Sequence, residues 1–244
     1  MREFQQHLFF DLDRTLWDLH AANERTMAVL QAQHAKVLGE RNLAHISKQF
    51  RQINDHLWTV IQTKGYGVSY VRKRRMLHWL QSMELSLSAG EINQLSRELE
   101  ALYTATMPHQ NCPFPHVLTT LDALRTDGYS LHVITNGTLD AQEKKLDAMG
   151  IKGHFDGITT SDQCKAYKPR RAIFAHALHR AHVRAEDAWM VGDSWERDML
   201  GAKAIGMRTA WYNPDQQSKP RKDPSPDMEF RDWKAFHLSL LRNP

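Results

Sequence analysis

The sequence has few cysteines, a small net charge and no long apolar run, and each of these absences excludes a class of protein. Only two cysteines, Cys112 and Cys164, occur among the 244 residues, which is too few for a disulfide framework or an all-cysteine zinc site. No stretch approaches the roughly 18 to 20 apolar residues of a membrane-spanning helix, and Met1 to Phe10 lacks the apolar segment of a secretory signal. We therefore expect a cytoplasmic protein with reduced thiols and no membrane partner.

The hydrophobic content indicates a folded protein, and the small net charge indicates no strong attraction to highly charged partners. The formal net charge is +4, and hydrophobic residues make up 41% of the chain, which favours a large buried core over disorder. The densest basic run, Arg72 to Arg75, is most simply a solvated helix face, and the alternative is a rim that attracts an anionic substrate or a nucleic acid. Because no nucleic-acid recognition motif accompanies this run, a nucleic-acid partner is disfavoured.

Three histidines recur on one predicted helix, at His176, His179 and His182. A zinc protease helix would need two histidines four residues apart with a glutamate between them, and that pattern is absent. We therefore expect these histidines to be surface residues.

Hydrophobic patterning divides the chain into two parts. Residues 7–13 predict a short buried strand that ends in carboxylates, whereas 17–108 shows only helical periodicity, with about four helices and no strand signal. After Pro115, strands and helices alternate, which predicts right-handed crossovers and a parallel sheet. The fold class is therefore α/β, with a helical domain inserted after the first strand.

The domain boundaries follow from the same patterning. One domain combines 1–16 with 109–244, and the inserted helical domain spans 17–108. Near the end of the chain, 213–231 is rich in proline and charge and is expected to be loose, whereas the apolar side chains between Trp233 and Leu241 are expected to dock back as a final element.

Polar side chains follow the predicted strands of this sheet at the edge where ligands bind in open parallel sheets. The set comprises Asp11, Asp13, Thr15, Thr135, Asn136, Lys168, Asp193 and Asp198. Asp11 and Asp13 are two residues apart, so they point to the same side while the chain remains extended. Two or three carboxylates in one place suit Mg²⁺, and without a cation they would repel each other.

This chemistry favours phosphoryl transfer from a small anionic substrate. A carboxylate is a competent nucleophile once a metal screens its repulsion from phosphate oxygens, and a second carboxylic acid can protonate the leaving oxygen and later activate water. Asp11 and Asp13 are the natural pair for these two steps. Thr135 and the backbone N–H groups that follow it can hold phosphoryl oxygens, and Lys168 supplies a fixed positive charge.

Four motifs in chain order resemble those of the haloacid dehalogenase superfamily. They are Asp11-Leu12-Asp13-Arg14-Thr15, Thr135-Asn136-Gly137, Lys168-Pro169, and Gly192-Asp193-Ser194 with Asp198. The resemblance implies a Rossmann-like parallel-sheet core and an inserted all-helical C1 cap, which closes over the crevice and excludes water. The carbon–halogen dehalogenases of this superfamily lack the second aspartate, so the presence of Asp13 favours a phosphatase.

The resemblance also implies a role for each motif residue. Asp11 would be the nucleophile and a Mg²⁺ ligand, Asp13 the general acid/base with its backbone carbonyl on the metal, and Asp193 the third protein ligand. Thr135 and Asn136 would contact the phosphoryl group, and Lys168 would pair with Asp11 and the phosphate. Thr15 and Asp198 would support this set from outside it, with Asp198 either beside the metal shell or holding Lys168.

The residues in and around the motifs, at 11–18, 191–194 and 210–214, are similar to those of the pyrimidine 5′-nucleotidase branch of the superfamily. The implied substrate is a small phosphorylated metabolite, a pyrimidine nucleoside 5′-monophosphate first, with phosphoglycolate or a sugar phosphate as the alternative. A phosphomutase would use the same site, and a non-catalytic binding module would have lost one of these residues. In the helical domain, Trp58, Tyr66, Tyr70 and the neighbouring arginines could contact a base or a phosphate, although aromatic residues at helical spacing more often form a core.

Overall fold

The computed structural model describes residues 6–242, and the outermost residues of the predicted core domain, 1–5 and 243–244, lie outside the described part. The chain splits into two compact units, one formed by residues up to Asp18 together with those from Cys112 onward, and the other by Leu19–Asn111. These boundaries differ by two or three residues from the predicted ones, and the role of the second unit as a cap stays a prediction.

In chain order the strands and helices are β1 His7–Phe10, α1 Leu19–Gln33, α2 Ala35–Leu38, α3 Leu43–Lys64, α4 Ser69–Arg72, α5 Arg75–Gln81, α6 Ala89–Thr106, α7 Val117–Thr126, β2 Ser130–Thr135, α8 Leu139–Ala148, β3 Gly157–Thr160, α9 Ser161–Cys164, α10 Arg171–Ala181, β4 Ala188–Gly192, a π-helix Trp195–Met199, α11 Leu200–Lys203, β5 Arg208–Tyr212, β6 Met228–Phe230 and α12 Trp233–Arg242.

The first unit is built on a parallel sheet, as the alternating pattern predicts. Within residues 6–242 the sheet has six strands in the order β3-β2-β1-β4-β5-β6, and every neighbouring pair is parallel. The central strand β1 is buried on both sides, with Leu8, Phe9 and Phe10 at most 1% exposed. Such continuous burial explains why β1 is a run of apolar residues and does not alternate with polar ones.

The end of the chain adds to this unit more than its sequence indicates. Residues 213–231, expected to be loose, contain the edge strand β6, which pairs with β5 through Tyr212 and Phe230. Helix α12 then docks through Trp233, Phe236 and Leu240, which are buried. The expectation is wrong for two other apolar side chains of this helix, since Leu238 and Leu241 are more than half exposed.

The second unit is helical, with three long helices, α1, α3 and α6. Its core contains a cluster of aromatic rings in which Phe50 packs against Trp79 and Tyr103. The basic run at 72–75 is not uniformly solvated, because Arg75 is buried and forms two short hydrogen bonds to Glu100, at 2.8 and 2.7 Å. Burial of a guanidinium is compatible with folding when a carboxylate pairs with it bidentately.

The remaining members of the basic run and the nearby tyrosines lie at the surface of this unit. Tyr66 is 46% exposed and stacks on Tyr70 with ring centroids 4.8 Å apart. The guanidinium carbon of Arg74 lies over the Tyr70 ring, 3.8 Å from its centre, and forms a cation–π contact with it. Arg72 and Lys73 are exposed.

Two predictions about other functions can be checked directly on the described residues. His176, His179 and His182 are exposed, as expected. No helix within 6–242 combines the length and the apolar character that crossing a membrane would require.

A pair of histidines near the start of β1 and β2 is expected to make the stability of the first unit sensitive to acid. His132 stacks on Phe9, and its Nε2 atom lies 3.1 Å from Nδ1 of His7. Burial, with the neighbouring His7 adding to it, lowers the pKa of His132 to about 4. The pKa of His132 is thus lower in the folded protein than in the unfolded chain. Above pH 6.5 the residue is neutral in both states and does not lower the free energy of unfolding, whereas between pH 6.5 and 4 it lowers that free energy progressively as the pH falls.

We therefore expect the free energy of unfolding to fall by up to about 3 kcal/mol over this range because of His132. The variant His132→Phe removes the titrating group and keeps an aromatic ring on Phe9, so it should show a shallower decline in urea denaturation between pH 7 and pH 4.5. His176→Gln, at an exposed position, is the matched control and should follow the wild-type decline. Parallel curves for wild type and His132→Phe would contradict the prediction.

Candidate active site

The site lies at the carboxyl edge of the sheet, where the chain leaves three neighbouring strands. Asp11 follows β1, Asn136 follows β2 and Asp193 follows β4. Strand β1 lies between β2 and β4, and the crossovers run in opposite directions from it, so these three ends meet at the reversal point of the strand order. A crevice at this point is where open α/β sheets bind their ligands. The sequence-based prediction that the polar residues follow strand ends is thus confirmed for these three.

A buried lysine joins two of the carboxylates. Lys168 is 2% exposed, and its Nζ atom lies 2.5 Å from Asp11 Oδ1, 2.6 Å from Asp198 Oδ1 and 2.8 Å from the backbone oxygen of Ile134. Burial disfavours a charge on this amine, but Asp11 and Asp198 outweigh that effect and raise the pKa of Lys168. The lysine therefore stays cationic and balances part of the negative charge around it.

Three carboxylates lie close enough together to hold one cation. Oxygen atoms of Asp11, Asp193 and Asp198 all fall within 4.8 Å of one another, and among the described residues no other group of three His, Cys, Asp or Glu side chains has this property. Burial raises the pKa of Asp11 to about 7, with Lys168 acting against the rise and Asp198 and Asp193 adding to it. Burial also raises the pKa of Asp193, against the opposing effect of Arg14. A hard divalent cation with oxygen ligands would relieve this repulsion, so the residues present fit Mg²⁺.

Thr15 connects the ends of β1 and β4. Its hydroxyl accepts a hydrogen bond from the Asp193 backbone N–H at 3.0 Å and donates toward Asp11 Oδ2 at 3.2 Å. The side chain is fully buried. Arg14, in a left-handed conformation with a φ of 69°, places its Nε atom 3.2 Å from Asp193 Oδ2. Arg14 and Thr15 thus help to fix the direction of two carboxylates of the acidic cluster.

Asp198 lies in a π-helix, Trp195–Met199, that begins two residues after Asp193. Asp198 Oδ2 accepts the Ser194 backbone N–H at 3.0 Å, while Oδ1 faces Lys168. Gly192 leaves room for this side chain, since a Cβ atom there would lie 2.4 Å from Asp198 Oδ2. Of the two roles that the resemblance implies for Asp198, the ion pair with Lys168 is present, and the carboxylate also belongs to the acidic cluster.

Asp13 does not join the acidic cluster. Strand β1 ends at Phe10, so the alternation that would point Asp11 and Asp13 to the same side no longer applies. The Asp13 carboxylate is held by α8, with Oδ1 2.5 Å from Lys145 Nζ and Oδ2 3.4 Å from Gln142 Nε2. Asp13 therefore lies outside the group of three carboxylates, and its pairing with Asp11 in one reaction stays a prediction, as does a metal contact through its backbone carbonyl.

The residues after β2 support the lysine. The Asn136 side chain accepts the Lys168 backbone N–H at 2.6 Å and donates to the Lys168 carbonyl at 3.2 Å. The Thr135 hydroxyl is buried and accepts the Gly137 N–H at 3.3 Å. These two hydrogen bonds tie the Asn136 side chain to the backbone of Lys168, and a contact between Asn136 and a phosphoryl group stays a prediction.

Three residues of the site were not assigned a role from the sequence. Arg14 lies inside the first motif, but nothing in the sequence indicates that it pairs with a residue almost 180 positions later. Lys145 and Gln142 are three residues apart on α8, a spacing that places them on one helix face. That shared face was the available signal, and it does not reveal which side of the helix meets Asp13.

The chain resembles known proteins over most of its length. A family model described as haloacid dehalogenase-like hydrolase matches residues 6–206. Among curated proteins, it is 28% identical to ribulose-1,5-bisphosphate 5-phosphatase of Halopiger xanaduensis, covering 86% of each chain, and 26% identical to the pyrimidine 5′-nucleotidase YjjG of Escherichia coli, covering 87% of this chain and 88% of that protein. It is also 27% identical to N-acylneuraminate-9-phosphatase of Rattus norvegicus, over 84% of this chain and 82% of that protein.

The chain also resembles solved structures over nearly its whole length. The magnesium-bound HAD-hydrolase YfnB of Bacillus subtilis superposes with a TM-score of 0.83 at 22% identity, covering 97% of this chain and 99% of that one. A 2-haloacid dehalogenase from Pseudomonas syringae pv. Tomato DC3000 is 30% identical, with a TM-score of 0.67, and the match covers 98% of this chain and all of that one. The four motifs at one sheet edge, the family match and these relatives together place the chain in the haloacid dehalogenase-like hydrolase family.

Proposed function

We propose that this protein is a Mg²⁺-dependent phosphatase of small phosphomonoesters that works through an aspartyl-phosphate on Asp11, and that its substrate is a pyrimidine nucleoside 5′-monophosphate. The relatives named phosphatases and nucleotidases support the enzyme class of phosphoric monoester hydrolase. The observation that carries the proposal is the separation of two carboxylates into different surroundings, with Asp11 in the acidic cluster and Asp13 held apart by α8. Two carboxylates in distinct environments can serve as nucleophile and as acid/base.

The proposed reaction assigns a step to each of these groups. An oxygen of Asp11 attacks phosphorus while Lys168 and the backbone N–H groups after Thr135 balance charge on the phosphoryl oxygens. As the bond from phosphorus to the leaving oxygen breaks, the Asp13 carboxylic acid gives its proton to that oxygen. The Asp13 carboxylate then takes a proton from water, which attacks phosphorus and releases inorganic phosphate from Asp11.

Asp11 and Asp193, with the backbone carbonyl of Asp13, would hold Mg²⁺, and Asp198 would support the set while pairing with Lys168. When bound, the cation screens the negative charge of the carboxylates and of the phosphate, so that one anion can approach another. Asp193 is oriented by Arg14 and Thr15 for this purpose.

Two other substrates have support from specific relatives. The relatives that act on ribulose-1,5-bisphosphate and on N-acylneuraminate 9-phosphate favour a sugar phosphate as the second candidate. The similarity to a 2-haloacid dehalogenase favours carbon–halogen cleavage, but a dehalogenase has no leaving oxygen to protonate and so gives Asp13 no task.

A substrate panel tests the proposal. Phosphate release would be measured from pyrimidine and purine nucleoside monophosphates, sugar phosphates and phosphoglycolate, with Mg²⁺ and with EDTA, and halide release from 2-chloropropionate. We expect Mg²⁺-dependent phosphate release with the highest kcat/KM on a pyrimidine monophosphate. A higher value on a sugar phosphate would overturn the nucleotide assignment, and halide release without phosphate release would overturn the phosphatase.

A further inference from the structure

Lys145 is a buried lysine to which the proposed reaction gives no task. Its side chain is 8% exposed, and its Nζ atom lies 2.5 Å from Asp13 Oδ1. The same atom lies 4.3 Å from the centre of the Trp17 ring, which is itself fully buried. Burying an ammonium group costs free energy unless a carboxylate and a π-face compensate for it, and both are present here. The contacts with Asp13 and Trp17 therefore hold the Lys145 ammonium group in this position.

Gln142, one helical turn earlier on α8, completes the contact. It is 2% exposed and directs its amide nitrogen at Asp13 Oδ2, 3.4 Å away. Gly137 allows this approach, because a Cβ atom at that position would lie 1.7 Å from the amide nitrogen of Gln142. One face of α8 thus holds both carboxylate oxygens of Asp13.

The other carboxylates of the site have different partners. Asp11 and Asp198 share Lys168, and Asp193 pairs with Arg14. Without its own cation, Asp13 would be a fourth acidic group beside this cluster, free to rotate towards any cation bound there. Lys145 supplies the attraction that keeps it apart.

We propose that Lys145, assisted by Gln142, is a positioning residue that keeps the Asp13 carboxylate out of the metal-binding group and reserves it for proton transfer to the leaving oxygen. This inference rests on the proposed phosphatase function. Lys145 acts through Asp13 and exchanges no proton with the substrate. Its loss should therefore matter in proportion to how much the leaving group needs a proton.

The test compares two leaving groups in the full-length protein with Mg²⁺. An alkyl phosphomonoester, such as the best nucleoside monophosphate of the panel, must be protonated as it leaves, whereas p-nitrophenolate is stable as an anion. For Lys145→Met we expect kcat/KM to fall by about 10²-fold on the alkyl ester, mostly in kcat, and by less than about threefold on p-nitrophenyl phosphate. Lys145→Arg should recover part of the loss, and Lys145→Gln, which keeps a polar end in the same place, carries the same comparison if Lys145→Met does not fold.

Lys144→Met is the matched control, because Lys144 neighbours Lys145 in sequence but is 44% exposed and pairs with Asp140 on the same helix. It should match wild type on both substrates. Equal losses on the two substrates in folded Lys145 variants, or no loss on either, would overturn the positioning role. Failure of the wild-type protein to release phosphate from both esters would instead overturn the proposed function.

Discussion

Asp11→Asn is expected to lose phosphatase activity by at least about 10⁴-fold, because the amide cannot form the aspartyl-phosphate on which turnover depends. The substitution keeps the shape of the side chain and its hydrogen bond with Thr15. Lys168 retains Asp198 as an ionic partner at 2.6 Å. The variant should therefore fold, and its defect should be chemical.

The measurement is phosphate release under single-turnover conditions, with Asp140→Asn as the control at an exposed aspartate of α8. Asp140→Asn should retain wild-type activity. Burst formation of an acid-stable phosphoenzyme in Asp11→Asn, or activity within tenfold of wild type, would contradict the role of Asp11 as nucleophile.

The same variant makes a prediction about stability in EDTA. The pKa of Asp11 is raised to about 7 in the folded protein, so the folded state binds a proton that the unfolded state has already lost. Stability contributed by this group is present at low pH and declines as the pH rises through about 7. At pH 8 in EDTA, we therefore expect Asp11→Asn to unfold at a temperature equal to or above that of wild type, and a lower melting temperature would contradict the prediction.

Lys168→Met is expected to be the most destabilising substitution in the site. It leaves Asp11 and Asp198 buried and close together without their shared cation. Removing one partner of a buried ion pair typically costs about 3–5 kcal/mol, because the remaining charge is not compensated. Activity should fall by about 10²-fold or more, since charge on the phosphoryl oxygens loses its fixed partner.

Urea denaturation in EDTA measures the first effect, and Lys165→Met, at an exposed lysine three residues earlier, is its control. The double variant Lys168→Met/Asp198→Asn separates charge from packing. It should recover part of the lost stability because one carboxylate is gone, but it should not recover activity. If Lys168→Met were as stable as wild type, the ion pairs of Lys168 would not be structural supports of the site.

Much of the site could be predicted because its residues follow strands of a parallel sheet. Strand β1 is a continuous apolar run and β4 another, so the positions of Asp11 and Asp193 at the same sheet edge follow from the order of strands and crossovers. The direction of the Asp13 side chain could not be predicted in this way, because β1 ends at Phe10 and the alternation of side chains applies only while the chain stays extended. Whether a strand continues depends on its neighbours' hydrogen bonds, which are not a local property.

The end of the chain shows the same limit. Four prolines and several charges in 213–231 indicate a loose segment, yet β6 forms within it. Only three residues pair with β5, and so short an edge strand has little periodicity to detect. It is stabilised by packing, as Phe230 lies against Tyr212 and Trp233.

Apolar periodicity and strand ends are local signals, so the fold class, the family resemblance and the order in which acids, hydroxyls and the lysine follow the strands could be predicted without the structure. The pairing of the charges could not, because it is set by tertiary contacts. In the structure, Lys168 forms ion pairs with Asp11 and Asp198, Arg14 with Asp193, and Lys145 with Asp13. These choices join residues up to about 180 positions apart and depend on which helix face meets which strand end, and no local pattern of the sequence carries that information.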